Sequence, residues 1–158
     1  MLPAENHIQG VNLINLNQIG DNRGSVLHML RSDAQDFTQF GECYFSEIFP
    51  GAVKAWKKHR EKTQNIAVPV GRILLVIYDD RELSTTRGKL LEIELGRPDA
   101  YQRVRISPGI WYGFKCISSE AALLVNCADY PHNKNESEVI SFDDPTIPYD
   151  WILGNKVS

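Results

Sequence analysis

Lys57 and His59 stand two residues apart in GAVKAWKKHREKTQNIAVPVG (residues 51–71), and both are side chains of acid–base chemistry. Imidazole, with an unperturbed pKa of about 6.5, takes up a proton near neutrality. A lysine ammonium steadies developing negative charge or, buried enough to lose its proton, acts as a base itself. Residues two apart on an extended strand project from one face, so the pair is expected to act at one place. Tyr112, in ISPGIWYGF (residues 106–114), and Tyr130, in VNCADYPHNKNE (residues 125–136), supply phenols able to return a proton. A plainer alternative stands beside each: a solvated basic strand for Lys57 and His59, a core aromatic for Tyr112, a structural role for Tyr130.

Short β-type runs must position these side chains. GECYFSEIF, AVKAW, QNIAVPVG, RILLVIYDD, KLLEIELG, YQRVRISPG, ALLVNCADY and SEVISF are rich in Val, Ile, Leu, Tyr and Phe, and glycine, proline or aspartate separates most of them. Turns recur every 8–12 residues or so, which fits an all-β sandwich or barrel rather than βαβ units. Ser32 to Phe40 is expected to form a helical turn with Ser32 as N-cap. The tail DDPTIPYDWILGNKVS carries two prolines and is expected to be irregular and draped over the barrel. With 158 residues, 42% of them hydrophobic and 23% charged, the chain is expected to be one domain, residues 1–158. Its core would run from about residue 20 to 142, with the tail at 143–158.

The spacing around Lys57 resembles that of the cupin superfamily. There a glycine is followed after five residues by His-x-His, then a few residues on by Glu, and after six more residues by a second glycine. Here Gly51 and Gly71 keep the frame, with Lys57 at the first histidine, His59 at the second and Gln64 at the glutamate. In a second stretch Gly109 precedes by three residues Tyr112, where the last ligand would stand. An ammonium cannot ligate a cation, and an amide oxygen is a poor substitute for carboxylate on a transition metal. The expectation is a cupin-type double-stranded β-helix, a jelly roll, with no metal and no other cofactor.

More specifically, the chain resembles the dTDP-4-dehydrorhamnose 3,5-epimerase family of metal-free cupins and the related sugar-nucleotide 3,4-ketoisomerases. DNRG (21–24), GAVKAW (51–56), VGRILLVIYDDRELSTTRG (70–88), ISPGIWYGF, VNCADYPHNKNE and FDDPTIPYDW (142–151) carry the resemblance. It implies an isomerase that binds a nucleotide-linked 4-keto-6-deoxy sugar inside the barrel of a homodimer and removes a proton next to the ketone. A 3,4-ketoisomerase on the same substrates and a non-catalytic sugar-nucleotide-binding cupin are the alternatives. The departures are specific. Lys57 stands at the epimerases' histidine base, Val125 at their tyrosine acid, and the aspartate partner of the histidine lies in a C-terminal stretch beyond Ser158.

Under this resemblance His59 becomes the base, Lys57 the enolate-stabilising cation or a second base, and Tyr112 or Tyr130 the acid. Arg23 matches the family's nucleotide-sugar arginine, and a guanidinium grips diphosphate in two-pronged fashion. Lys54 replaces the arginine of R-G-L-H as a point charge. Gln64 is a candidate for a sugar hydroxyl, Arg81 for ligand or for an ion pair within the barrel, and His132 for the barrel mouth. Trp56 and Trp111 are candidates for packing against sugar or base, with the core as the alternative.

The net charge of −3 gives no broad footprint for nucleic acid, and the basic run KAWKKHREK reads as a solvated strand. Alternation would send Lys58, Arg60 and Lys62 outward. Three cysteines without a CxxC pair are expected to be reduced. There is no basic leader and no apolar run of the length a membrane span needs. The expected location is the cytoplasm.

Overall fold

The computed structural model describes residues 6–154, and its regular structure is strand. The strands are β1 (Val11–Asn15), β2 (Gln18–Asp21), β3 (Gly24–Leu27), β4 (Glu42–Ile48), β5 (Val53–His59), β6 (Gln64–Val70), β7 (Arg72–Tyr78), β8 (Leu90–Gly96), β9 (Gln102–Ile106), β10 (Trp111–Cys116), β11 (Ala122–Ala128) and β12 (Ser137–Val139). They form two five-stranded antiparallel sheets, β1-β9-β6-β11-β4 and β12-β5-β10-β7-β8, with β2-β3 as a separate hairpin. This is the all-β jelly roll expected from the sequence. Among the described residues no helix is long and apolar enough to cross a membrane.

The core follows from period-two patterning. In β8, Leu91, Ile93 and Leu95 point inward while Glu92 and Glu94 stay exposed. The inward rows of both sheets merge into one cluster that includes Ile66, Val68, Ile73, Leu75, Ile77, Ile106 and Leu124. A second cluster lies where the C-terminal segment folds back over the β5-β10-β7 face. Ile147, Tyr149 and Trp151 are buried there against Trp56, Val76 and Trp111. The rings of Trp56 and Trp151 lie 5.0 Å apart, and Trp56 Nε1 donates to the Phe142 carbonyl at 3.1 Å. Trp56 and Trp111 are therefore core residues under the tail.

Three local expectations differ from the structure. β1 joins the first sheet ahead of residue 20, paired with β9 from Val11↔Ile106 to Asn15↔Gln102. Ser32 to Phe40 makes two successive turns, closed by Ala34 N–H to Arg31 O and Phe37 N–H to Ala34 O, not a capped helical turn. Long-range pull outweighs local propensity there, because Asp36 is held by Arg103 Nη1 and Nη2 at 2.8 and 2.9 Å. Lys62 is buried, because β5 ends at His59 and the chain then turns, bringing its ammonium to Glu42 at 2.8 Å. All three cysteines are free thiols.

Candidate active site

A cavity of about 300 Å³ opens between the two sheets, at the lower end of the roughly 300–1,000 Å³ common for small-ligand sites. Its polar wall is made by Lys54 and Lys57 of β5, Tyr112 of β10, Tyr44 and Ser46 of β4, and Asn126 of β11. Lys54 and Lys57 are three apart, so strict alternation would put them on opposite faces. A bulge in β5 removes that conflict. Tyr112 pairs with Lys57 but Phe114 pairs with Lys54, so one extra β5 residue is accommodated between them and both lysines face the cavity. Gly113 makes room for it, since a Cβ there would lie 2.4 Å from the Ala55 Cβ.

Behind Tyr112 lies a three-residue chain of hydrogen bonds. Tyr112 Oη is 3.1 Å from His59 Nε2, and His59 Nδ1 is 2.6 Å from Glu136 Oε2. The other carboxylate oxygen, Oε1, accepts the backbone N–H groups of Glu61 (2.9 Å) and Lys62 (2.8 Å). Gly109, with φ +81°, closes the turn into β10 and donates its N–H to the His59 carbonyl at 2.7 Å. All three side chains are buried.

Electrostatics fix the protonation pattern. Burial pushes the His59 pKa down, more strongly than Glu136 lifts it, with Lys57 and Lys62 adding to the fall. Burial opposes the charged form of Glu136, yet the His59 bond and the two backbone N–H groups hold its pKa below the usual carboxylate value. Burial keeps the Tyr112 phenol protonated, its pKa well above 10, with Tyr44 and Glu136 contributing. The resting state is thus a carboxylate accepting from Nδ1–H of a neutral imidazole, whose Nε2 lone pair accepts from the Tyr112 hydroxyl.

The opposite wall carries a second network. Asn126 Oδ1 accepts the Asn65 backbone N–H at 3.1 Å, which turns Nδ2 toward Tyr44 Oη (2.9 Å) and Gln64 Oε1. Gln64 is buried, and its Nε2 has no partner among the described residues. Lys54 Nζ donates to Ser46 Oγ at 2.9 Å and to the Glu47 carbonyl at 2.7 Å. Lys57 has no carboxylate within ion-pair distance among the described residues.

With this geometry in place, the comparisons decide the family. Residues 5–158 match the model of the dTDP-4-dehydrorhamnose 3,5-epimerase family. The chain belongs to that family. A dTDP sugar isomerase from Desulfovibrio desulfuricans G20 superposes with a TM-score of 0.91 at 50% identity, covering 94% of this chain and 95% of that one. A probable low-salt glycan biosynthesis epimerase of Haloferax volcanii is 38% identical over 91% of this chain and 90% of its own length. A spore coat polysaccharide biosynthesis protein of Bacillus subtilis is 27% identical over 91% and 96%.

In this member of the dTDP-4-dehydrorhamnose 3,5-epimerase family, polar side chains line the interior. Of the four cupin ligand positions, His59, Gln64 and Tyr112 take part in the two networks, and Lys57 lines the cavity. Among the described residues no cluster of three His, Cys, Asp or Glu side chains is placed to hold a metal. His59 does not line the cavity; Tyr112 stands between. Val125 packs on the outer face of its sheet with Ala67 and Tyr101, so the inward neighbours on β11 are Leu124 and Asn126.

Other sequence candidates lie elsewhere. Arg23 sits at the exposed tip of the β2-β3 hairpin, ion-paired with Asp21 at 2.6 Å, and does not line this chain's cavity. Arg81 grips Asp79 through Nε (2.8 Å) and Nη2 (2.9 Å), so its fork is consumed within the barrel. Tyr130 and His132 line a separate surface depression with Glu61, Lys134 and Glu136. The loop after β11 carries them past the sheet, away from the cavity wall. Glu136 and Tyr44 were missed. A glutamate 77 positions from its histidine leaves no local pattern, whereas inward alternation along β4 would have placed Tyr44 and Ser46 together.

Proposed function

We propose that the chain is a sugar-nucleotide epimerase that abstracts the proton next to the ketone of a nucleotide-linked 4-keto-6-deoxy sugar, with Tyr112 as the group in contact with substrate. The carrying observation is the Tyr112–His59–Glu136 chain beside a cavity-facing Lys57. As the C–H bond breaks, its proton passes to Tyr112 oxygen while the phenol proton moves to His59 Nε2. The C–H electron pair shifts into the enolate, whose oxygen the Lys57 ammonium steadies. Glu136 stabilises the imidazolium so formed, in the way a buried carboxylate serves a catalytic histidine. The family match supports the substrate class, and the relatives named as a dTDP sugar isomerase and an epimerase support the reaction type.

Lys54 is assigned to phosphate at the mouth, and Gln64, which is buried and does not line the cavity, to holding Asn126 in place behind its wall. Exposed Ile19 and Val26 on the hairpin and Phe45 on edge strand β4 support a homodimer. Because Arg23 lies off this chain's cavity, its assignment to the diphosphate requires the hairpin of a second copy to reach the mouth.

The test is incubation with dTDP-4-keto-6-deoxyglucose in heavy water, followed by mass spectrometry and by NMR of the sugar. Carbon-bound deuterium above the no-protein control, absent in Tyr112→Phe, supports proton abstraction. Binding seen by thermal shift with no uptake would point to a sugar-nucleotide-binding module instead.

A further inference from the structure

Inverting a carbon beside a ketone requires that the proton leave from one face of the enolate and return on the other. Tyr112 and its relay belong to the β12-β5-β10-β7-β8 sheet, so that sheet accounts for removal only. The facing sheet contributes a second phenol to the same cavity, Tyr44 of β4. We propose that Tyr44 is the acid that delivers a proton to the opposite face of the enolate and so completes the inversion, an inference that rests on the epimerase reading above.

The hydrogen bonds around Tyr44 suit that task. Its oxygen accepts from Asn126 Nδ2 at 2.9 Å, and the Asn126 amide cannot turn over, because its Oδ1 is held by the Asn65 backbone N–H. The phenol oxygen being thus engaged as an acceptor, its own O–H has no acceptor among the described residues and is available to the cavity. Once the proton has left, the same Asn126 N–H stabilises the phenolate. Burial, more than the Asn126 bond opposes it, raises the Tyr44 pKa and keeps the proton in place until an enolate carbon arrives. Tyr44 is still partly open to solvent, which gives it a route to reload.

The two sides of the reaction are separable. Glu136, at the far end of the relay, also lines the surface depression near Tyr130 and His132. A proton held on His59 can therefore exchange with water and return through Tyr112 to the face it left. A protein without the Tyr44 hydroxyl should exchange the carbon-bound proton without inverting the carbon.

The experiment compares wild type and Tyr44→Phe with dTDP-4-keto-6-deoxyglucose in heavy water, scoring deuterium in unepimerised substrate separately from epimerised product by NMR. Removal of one hydroxyl from a partly exposed tyrosine leaves the fold intact, which a thermal melt checks. The expected result is inversion down about 100-fold or more, with exchange into unepimerised substrate kept within about tenfold of wild type. Inversion at the wild-type rate in Tyr44→Phe overturns the proposal, as does parallel loss of exchange and inversion. Exchange without inversion in the wild type also overturns it, while leaving proton abstraction standing. A wild type that does neither removes the epimerase reading itself on this substrate.

Discussion

The Tyr112 hydroxyl lies 3.1 Å from His59 Nε2, and it is the phenol, not the imidazole, that faces the cavity. Removing only that hydroxyl breaks the chain at its first member. Tyr112→Phe is expected to lower deuterium uptake and turnover by about 10²–10⁴-fold. Folding stability should fall by only about 1–2 kcal/mol for the His59 Nε2 left unpaired. Uptake retained near the wild-type rate, measured on protein shown to be folded by its melting curve, would remove Tyr112 from the mechanism.

Glu136 offers a sharper test than His59 itself. His59→Ala would leave a buried carboxylate short of a donor, so lost activity would be mixed with lost stability of about 2–3 kcal/mol. Glu136→Gln keeps size and packing. The Glu61 and Lys62 N–H groups require oxygen at the Oε1 position, so the new amide nitrogen must face His59 Nδ1. The imidazole is then driven to its other tautomer, with N–H pointing at Tyr112 and no lone pair to receive its proton. Turnover should fall by roughly 10³–10⁴-fold with little change in KM, as expected when a catalytic histidine is held in the wrong tautomer. A variant that turns over normally would show that His59 has no part in proton transfer.

Lys57 has no carboxylate partner among the described residues, so its charge is available for the substrate. Lys57→Met retains most of the bulk and removes the charge. We expect kcat to drop about 10²–10³-fold, as when one donor to a developing oxyanion is lost, while the melting temperature holds or rises. A change confined to KM would reassign Lys57 to binding.

The barrel was legible in the sequence because its evidence is local: alternating apolar runs, turn residues and the Gly51–Gly71 spacing lie in short windows. The inward pair of Lys57 and His59 was legible for the same reason. The resemblance named Lys54 as a binding residue, but the bulge that brings it to the same wall was not legible, because it depends on Gly113 across the strand. The partnership of His59 with Glu136 spans 77 positions, and the Arg103 grip on Asp36 spans 67. Pairings of that reach are set by the closed fold and leave no spacing to read. Arg81 shows the converse. Its two-residue spacing from Asp79 signals an ion pair, but only the fold shows that Asp79 is buried.

That pair can be measured. Asp79 is fully buried and accepts from Arg81, Ser84 Oγ and Thr86 Oγ1 (2.7 Å). Burial alone would raise its pKa, and these donors together hold it far below the carboxylate norm. Asp79→Asn should cost about 3 kcal/mol of stability, the scale of breaking a buried charge pair, with kcat and KM unchanged at temperatures where the variant is folded. A loss of substrate affinity larger than the loss of folded fraction would instead return Arg81 to the ligand site.

Stability should also depend on pH with a predictable sign. His59 has a folded pKa below its ordinary value of 6.5, so below about pH 6.5 the unfolded chain binds more protons than the folded one, and stability falls with acidification. Glu136 and Asp79, with folded values below 4.5 and 3.8, extend the decline at lower pH as their carboxylates are forced to protonate. At the alkaline end Tyr112 holds its proton well above pH 10, where an unfolded tyrosine releases it, so stability falls again beyond about pH 10. Denaturant midpoints should therefore form a plateau between these limits. Replacing His59 by asparagine should flatten the segment between about pH 5 and 7 while leaving the steep fall below pH 4 in place. An unchanged slope between pH 5 and 7 in that variant would show that His59 is not the buried neutral imidazole the relay requires.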